Sequence, residues 1–292
     1  MCSETSEVDR PTPAETEAVI TRRIPQKIME KIPGHLTADS DLRSLRACAL
    51  VSKSWAQSCR RHLFHTVSFT SRHMDKWLKT FPVLEESPAC HVRDLRVEIG
   101  WRDPVPEKFF EYTPQFTDVQ RISLLGHMSL PSSLSPSLWK LPPSITSLTV
   151  NASVFTVLQV RDVMAQLPNL DDLTLMGTPV KVDRSELPGI GAVVKGRFGG
   201  KLKLCGEFVG EDVANMLLEI PSGLHFTEAI IHCTPECLPS AVRIAEACCN
   251  TLMKLSYPVA FPRGPHPLSQ SDRILTLIPF SGRSLREFRA VV

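Results

Sequence analysis

Several clusters of reactive side chains invite a chemical reading. Cys233 and Cys237, followed by the adjacent pair Cys248 and Cys249, are enough thiols to hold zinc. As a set their spacings match no standard zinc site, and adjacent cysteines on a helical run serve as core. Arg60-Arg61-His62 is a small basic cluster. It reads as a solvated helix end rather than a phosphate site. "GRFGG", Gly196 to Gly200, lacks both the Lys-Ser/Thr pair and the spacing of a phosphate-binding loop and reads as a turn. Asn151-Ala-Ser153 matches the glycosylation acceptor pattern by chance in a chain not read as secreted. No Ser/His/Asp set and no carboxylate pair stands in a recognisable motif. The expectation is a non-enzymatic chain with no catalytic residues, no cofactor and no metal.

The bounds agree. The chain has 292 residues, with 42% hydrophobic and 22% charged, ordinary for a globular protein with a sizeable core. A net charge of +2, from 33 basic and 31 acidic residues, advertises neither a nucleic-acid nor an anionic-membrane partner. The first residues lack a basic region followed by an apolar run, so they are not read as a secretory signal, and no window approaches the ~18 apolar residues of a membrane span. Nine cysteines, odd in number and irregular in spacing, argue for reduced thiols and a cytoplasmic and/or nuclear protein. Twenty-four prolines predict short, punctuated elements.

The elements that would position any function fall into three parts. Residues 1–22 are polar and acidic and lack the apolar density to order themselves, so they read as a disordered tail. Residues 23–66 read as a helical domain. Pro25 suits the first turn of a helix, and Ile28, Ile32 and Leu36 recur at four-residue steps. Pro33-Gly34 predicts that this helix stops near Ile32, because proline inside a helix costs ~3 kcal/mol. Asp39-Ser40-Asp41 offers caps for a second helix carrying Leu42, Leu45, Cys48 and Ala49. A third, from Val51 to about Leu63, carries Val51, Trp55, Ala56, Cys59 and Leu63 on one face, and Thr66-Val67-Ser68-Phe69 alternates like a strand. The apolar residues here exceed what so small a hairpin needs for its own core.

Residues 67–292 show a different period. "VRDLRVEIG" at Val92, "VQRISLLG" at Val119, "ITSLTVNA" at Ile145, "LDDLTLMG" at Leu170, "KLKLCG" at Lys201, "LMKLSYPV" at Leu252 and "LREFRAVV" at Leu285 share one form. The equivalent residues Leu95, Ile122, Leu148, Leu173 and Leu202 recur at steps of 27, 26, 25 and 29. A weaker unit lies near "LHFTEAIIHC" at Leu224, and helix-like runs cover 157–167, 211–220, 239–250 and 271–278. Near-constant spacing with an L-x-x-L-x-L core is the signature of leucine-rich repeats, here irregular and without an asparagine ladder. The predicted fold class is α/β: a short three-helix domain followed by a solenoid, with parallel strands on the concave face and helices on the convex face. An ordinary alternating α/β sheet is the rival architecture.

The N-terminal segment, "IPQKIMEKIPGHLTADSDLRSLRACALVSKSWAQSCRRHLF", resembles an F-box in the form common in mushroom-type fungi. The resemblance rests on Ile24-Pro25, Ile28, Ile32, Leu45-x-x-Cys48, Leu50-Val51-Ser52-Lys53-Ser54-Trp55 and Arg61-x-Leu63-Phe64. It departs from the family at Lys31 and Pro33-Gly34, where an apolar helix usually continues. The resemblance implies docking on a Skp-family adaptor, and through it on a cullin-RING (SCF-type) ubiquitin ligase, with Trp55 as candidate anchor. The implied adaptor contacts are Ile24, Pro25, Ile28, Ile32, Leu42, Leu45, Leu50, Val51, Trp55 and Phe64.

On the repeats, period-2 alternation turns the residues between the leucines outward. The expected target-binding positions are Asp94, Arg96, Glu98, Arg121, Ser123, Leu125, Ser147, Thr149, Asn151, Asp172, Thr174 and Met176. Their mixture of charges names no ligand class. The expected role is therefore a substrate-recognition subunit of a ubiquitin ligase, with an unidentified protein as target. The alternative is a repeat scaffold whose N-terminal helices merely cap the solenoid.

Overall fold

The computed structural model describes residues 25–38, 41–83, 87–99, 112–126, 140–151, 155–178, 194–206, 209–232, 234–258 and 287–291. The chain divides into two compact units, Met1–His65 and Thr66–Val292. The expected tail 1–22 and the helix-like run 271–278 lie outside the described residues.

Among the described residues the first unit holds three helices: α1 (Gln26–Ala38), α2 (Leu42–Ala49) and α3 (Lys53–Leu63). Local chemistry sets their starts. The Asp41 carboxylate accepts from the Ser44 N–H at 2.9 Å and opens α2, and Ser52 caps α3 by accepting from the Trp55 N–H. Met29, Leu45, Trp55 and Cys59 form the core, with Leu36, Cys48, Ala49 and Leu63 packed against it. Two expectations are corrected. Helix α1 does not stop near Ile32 but continues through Pro33 to Ala38. Proline inside a helix costs ~3 kcal/mol, yet Pro33 is itself buried, and Met29 and Leu36 on the same helix pack into the core. Burial of these neighbours outweighs the local penalty. Leu50 and Val51 do not begin the third helix either. They form the turn after α2, where their N–H groups donate to Ala47 and Cys48 carbonyls, both at 3.1 Å.

The second unit is an α/β structure built on one sheet of nine strands. They are β1 (Thr66–Phe69), β2 (Asp94–Ile99), β3 (Arg121–Gly126), β4 (Ser147–Asn151), β5 (Asp172–Gly177), β6 (Lys201–Gly206), β7 (Glu228–His232), β8 (Lys254–Pro258) and β9 (Glu287–Val291). Their spatial order is their chain order, and all eight pairings are parallel. The sequence repeat and the hydrogen-bond register coincide. Leu95 pairs Ile122, which pairs Leu148, then Leu173, Leu202, Ala229 and Leu255. The weak unit at Leu224 supplies β7.

A parallel pair needs a crossover, and crossovers of one hand between strands in sequential order leave on the same face of the sheet. Helices α4 (Ser71–Thr80), α5 (Val157–Ala165), α6 (Glu211–Leu218) and α7 (Leu238–Ala247) lie in such connections. The last three are laced side by side. Arg161 on α5 meets Glu219 at the end of α6 at 3.5 Å, and Arg243 on α7 donates to Asn215 on α6 at 3.1 Å. Strand burial alternates accordingly: Leu148, Val150, Leu173, Leu175, Leu202 and Leu204 are buried, and the residues between them stay half-exposed. An aromatic cluster sits where this unit begins. Phe69 meets Trp77 edge-on with centroids at 5.2 Å and Phe116 at 6.0 Å, and the Tyr112 hydroxyl donates to the Phe81 carbonyl.

Hydroxyls at the strand entries tie each connection to the one before it. Ser144 donates to the Val119 carbonyl at 2.8 Å, Thr227 to Gly200 at 3.1 Å and Thr251 to Phe226 at 3.1 Å, each reaching the preceding coil. The "GRFGG" stretch is the turn entering β6. Within it Phe198 takes a left-handed φ of 50° and is fully buried against Phe226. A left-handed residue costs about 1–2 kcal/mol, and burying a large aromatic side chain offsets it.

Gly206 ends β6 at φ 76°, and a Cβ there would stand 2.8 Å from the Gly177 carbonyl oxygen on the neighbouring strand. Gly206→Ala is therefore expected to cost about 2 kcal/mol or more, from backbone strain plus the clash. The check is the denaturant midpoint of the sheet unit. An unchanged midpoint would mean the turn is not held this tightly.

Candidate interaction surfaces

Two surfaces present exposed and half-exposed side chains. The first belongs to the helical unit. Among the described residues seven large hydrophobics are exposed: Ile28, Ile32, Leu42, Leu50, Val51, Val83 and Met253. Five of these lie in the helical unit. Ile28 and Ile32, four apart on α1, share one face. Leu42 opens α2, and Leu50 and Val51 leave it, 88% and 56% exposed. Exposed cations stand beside them: Lys27 and Lys31 on α1, Arg43 and Arg46 on α2. The segment from Pro25 to His65 carries seven Lys/Arg against three Asp/Glu.

The expected adaptor contacts separate under this geometry. Pro25 is exposed along with Ile28, Ile32, Leu42, Leu50 and Val51, and Phe64 is half-buried as the residue closing α3. Ile24 lies outside the described residues. Leu45, fully buried, and Trp55, 7% exposed, are corrected from surface contacts to core. Trp55 sits where α3 packs on the other helices, so the candidate anchor is instead the pin of the helical unit. Periodicity alone could not separate these roles, because a core stripe and a docking stripe have the same spacing.

The second surface is the open face of the sheet. All twelve expected positions lie on its alternate register. Arg96, Glu98 and Arg121 are exposed, and Ser123, Leu125, Ser147, Thr149, Asn151, Asp172, Thr174 and Met176 are half-exposed. Asp94 is corrected: it faces the same way but is only 8% exposed, with Arg96 at 3.7 Å and Arg121 at 3.6 Å sharing its carboxylate. The face continues onto positions the sequence reading did not reach, among them Lys201, Lys203, Cys205, Ile230 and His232. The same alternation applied to "KLKLCG" would have found the first three.

Most acids on this face are occupied. Glu228 pairs with Lys201 at 2.9 Å, Asp172 accepts from the Lys201 backbone N–H at 2.6 Å, and Glu98 accepts from the Ser68 hydroxyl at 3.4 Å.

No nucleophile is prepared here. Cys205 and His232 are register partners on β6 and β7. Burial raises the Cys205 thiol pKa, against the pull of Lys203, and burial together with Lys203 lowers the His232 pKa. Both are neutral near pH 7, the opposite of a thiolate–imidazolium pair. Burial also raises the Cys59 thiol, with Cys48 adding to it. Of the possible zinc cysteines, Cys233 lies outside the described residues. Among the described residues no group of three or more His, Cys, Asp or Glu could hold a metal ion. No described helix is long and apolar enough to cross a membrane.

Two outcomes follow. Trp55→Ala should cost about 3–5 kcal/mol, enough to melt a helical unit of this size. Hydrogen exchange should show α1–α3 amides losing protection while the sheet keeps its own, whereas Leu50→Ser should change stability by less than about 0.5 kcal/mol.

Burial pushes the Cys248 thiol up to about 12 from an ordinary 9.0. The folded state then holds a proton that the unfolded state releases, so stability falls as pH rises from about 9 towards 12. In native protein a maleimide should label the exposed Cys90 and spare Cys248, and Cys248→Ala should flatten the alkaline loss of stability.

No protein-family model matches this chain, and no curated protein is found to be its relative.

Proposed function

We propose that the chain is the substrate-recognition subunit of an SCF-type ubiquitin ligase. An F-box-like helical unit would bind a Skp-family adaptor, and an irregular leucine-rich-repeat solenoid would bind a target protein on its open face. The observation that carries this reading is the surplus surface. Met29, Leu45, Trp55 and Cys59 already complete the helical core, yet Ile28, Ile32, Leu42, Leu50 and Val51 remain exposed in the same unit. Full burial of one such side chain contributes about 1.5–3 kcal/mol. Five together can anchor a partner, in keeping with interfaces that concentrate their energy in a few apolar anchors.

The repeat geometry supports the target-binding half. Coincidence of the sequence repeat with the register, and helices laced side by side, are what stacked coils require. Ubiquitin transfer would be supplied by the other subunits, with this chain contributing proximity. The place of action would be the cytoplasm and/or the nucleus.

The test is co-purification with a Skp-family adaptor. Wild type should be retained. Ile28→Asp/Leu50→Asp, both at exposed positions and therefore compatible with folding, should lose binding by at least about tenfold, since 1.4 kcal/mol corresponds to that factor. Failure of folded wild type to bind at micromolar concentration would remove the ligase reading. It would favour a repeat scaffold acting through other partners.

A further inference from the structure

The central row of the open face runs straight across five strands. Arg96 pairs in register with Ser123, Ser123 with Thr149, Thr149 with Thr174, and Thr174 with Lys203. Its three middle members carry hydroxyls. Five hydroxyls off this row are consumed: Ser144, Thr146, Ser222, Thr227 and Thr251 all donate to carbonyls of the preceding connection. Ser123, Thr149 and Thr174 have no hydrogen-bond partner among the described residues, and all three are half-exposed.

A cation stands at each end of this row, Arg96 at one and Lys203 at the other. At one end two exposed arginines, Arg96 and Arg121, share the single carboxylate of Asp94. Glu98, two residues along β2 on the same face, accepts from the Ser68 hydroxyl at 3.4 Å, and each arginine reaches Asp94 through one terminal nitrogen. At the other end Lys203 has no ion-pair partner among the described residues, while its neighbours Lys201 and Glu228 satisfy each other at 2.9 Å. Ile230, in register with Lys203, adds an apolar shoulder.

We infer that this row seats an extended protein segment running across the strands, with one carboxylate at Arg96/Arg121, another at Lys203, and its backbone polar groups on the three hydroxyls between. Parallel strands lie 4.7–4.9 Å apart, so four steps separate the cationic ends by about 19 Å. An extended chain rises about 3.3 Å per residue, which places the two acidic residues about six positions apart. Small side chains between them let the segment approach the hydroxyls. This names the target chemistry for the repeat unit and rests on the reading that the open face holds a target. The adaptor plays no part in its test, so the two can fail separately.

The experiment is fluorescence anisotropy of the full chain with end-blocked, labelled peptides that carry two aspartates two, four, six or eight positions apart in a Gly/Ser background. The six-position peptide should bind tightest, at least about fivefold better than the two-position one, as ~1 kcal/mol of charge pairing implies. Its affinity should fall between about 0.1 M and 1 M salt, where the screening length shrinks from about 10 to 3 Å. Lys203→Glu should weaken it and should instead prefer a peptide with lysine in place of the aspartate at that end. That gain also shows that the variant is folded. Affinity indifferent to spacing, no wild-type binding at millimolar peptide, or failure of the charge swap overturns the inference.

Discussion

Everything in the repeat unit depends on one constraint: neighbouring parallel strands cannot be joined by a tight turn. Each connection must leave the sheet, cross one face and return in register. The steps of 25 to 29 residues between Leu95, Ile122, Leu148, Leu173 and Leu202 are the chain length that such a return takes here. A slip of one residue would exchange every buried leucine for an outward charge or hydroxyl, because strand side chains alternate with period two. The apolar rung therefore holds the register, and the hydroxyls of Ser144, Thr227 and Thr251 tie each strand entry to the coil before it.

Charge reinforces that register on the open side. Along the first position of the strands, Asp94 faces Arg121, and further on Asp172, Lys201, Glu228 and Lys254 alternate in sign from strand to strand. The Lys201–Glu228 pair is half in water and contributes little to stability. The collective value of these charges is specificity, since a shifted register would bring unlike neighbours out of line. The same neutralisation leaves a face of nearly balanced charge on which Lys203 stands without an ion-pair partner among the described residues.

The helical unit obeys a different economy. Three short helices can enclose only a small core, and Trp55 and Leu45 fill most of it. Pro33 shows how strongly that core rules the local sequence, because a residue that should end α1 is carried inside it. What the core cannot enclose stays outside, and Leu50 is the clearest case. Its turn position leaves it no neighbour on the helix to cover it. A unit with this little internal stabilisation gains from any partner that covers those side chains.

The linear order of residues alone determined the repeat, the alternation of each strand and a cap for α2 somewhere within Asp39-Ser40-Asp41. These are local or periodic properties, so they are written in spacing. Tertiary structure decided what spacing leaves open. It carried α1 through Pro33, put Trp55 and Leu45 inside while leaving Ile28 and Leu50 outside, and folded Asp94 between two arginines that are 2 and 27 residues away in sequence. It also consumed the hydroxyls of Thr227 and Thr251 and spared those of Thr149 and Thr174. The physical reason is common to all of these. Burial and pairing depend on which distant coil or helix arrives beside a residue, and helical or strand periodicity describes only the side on which it waits.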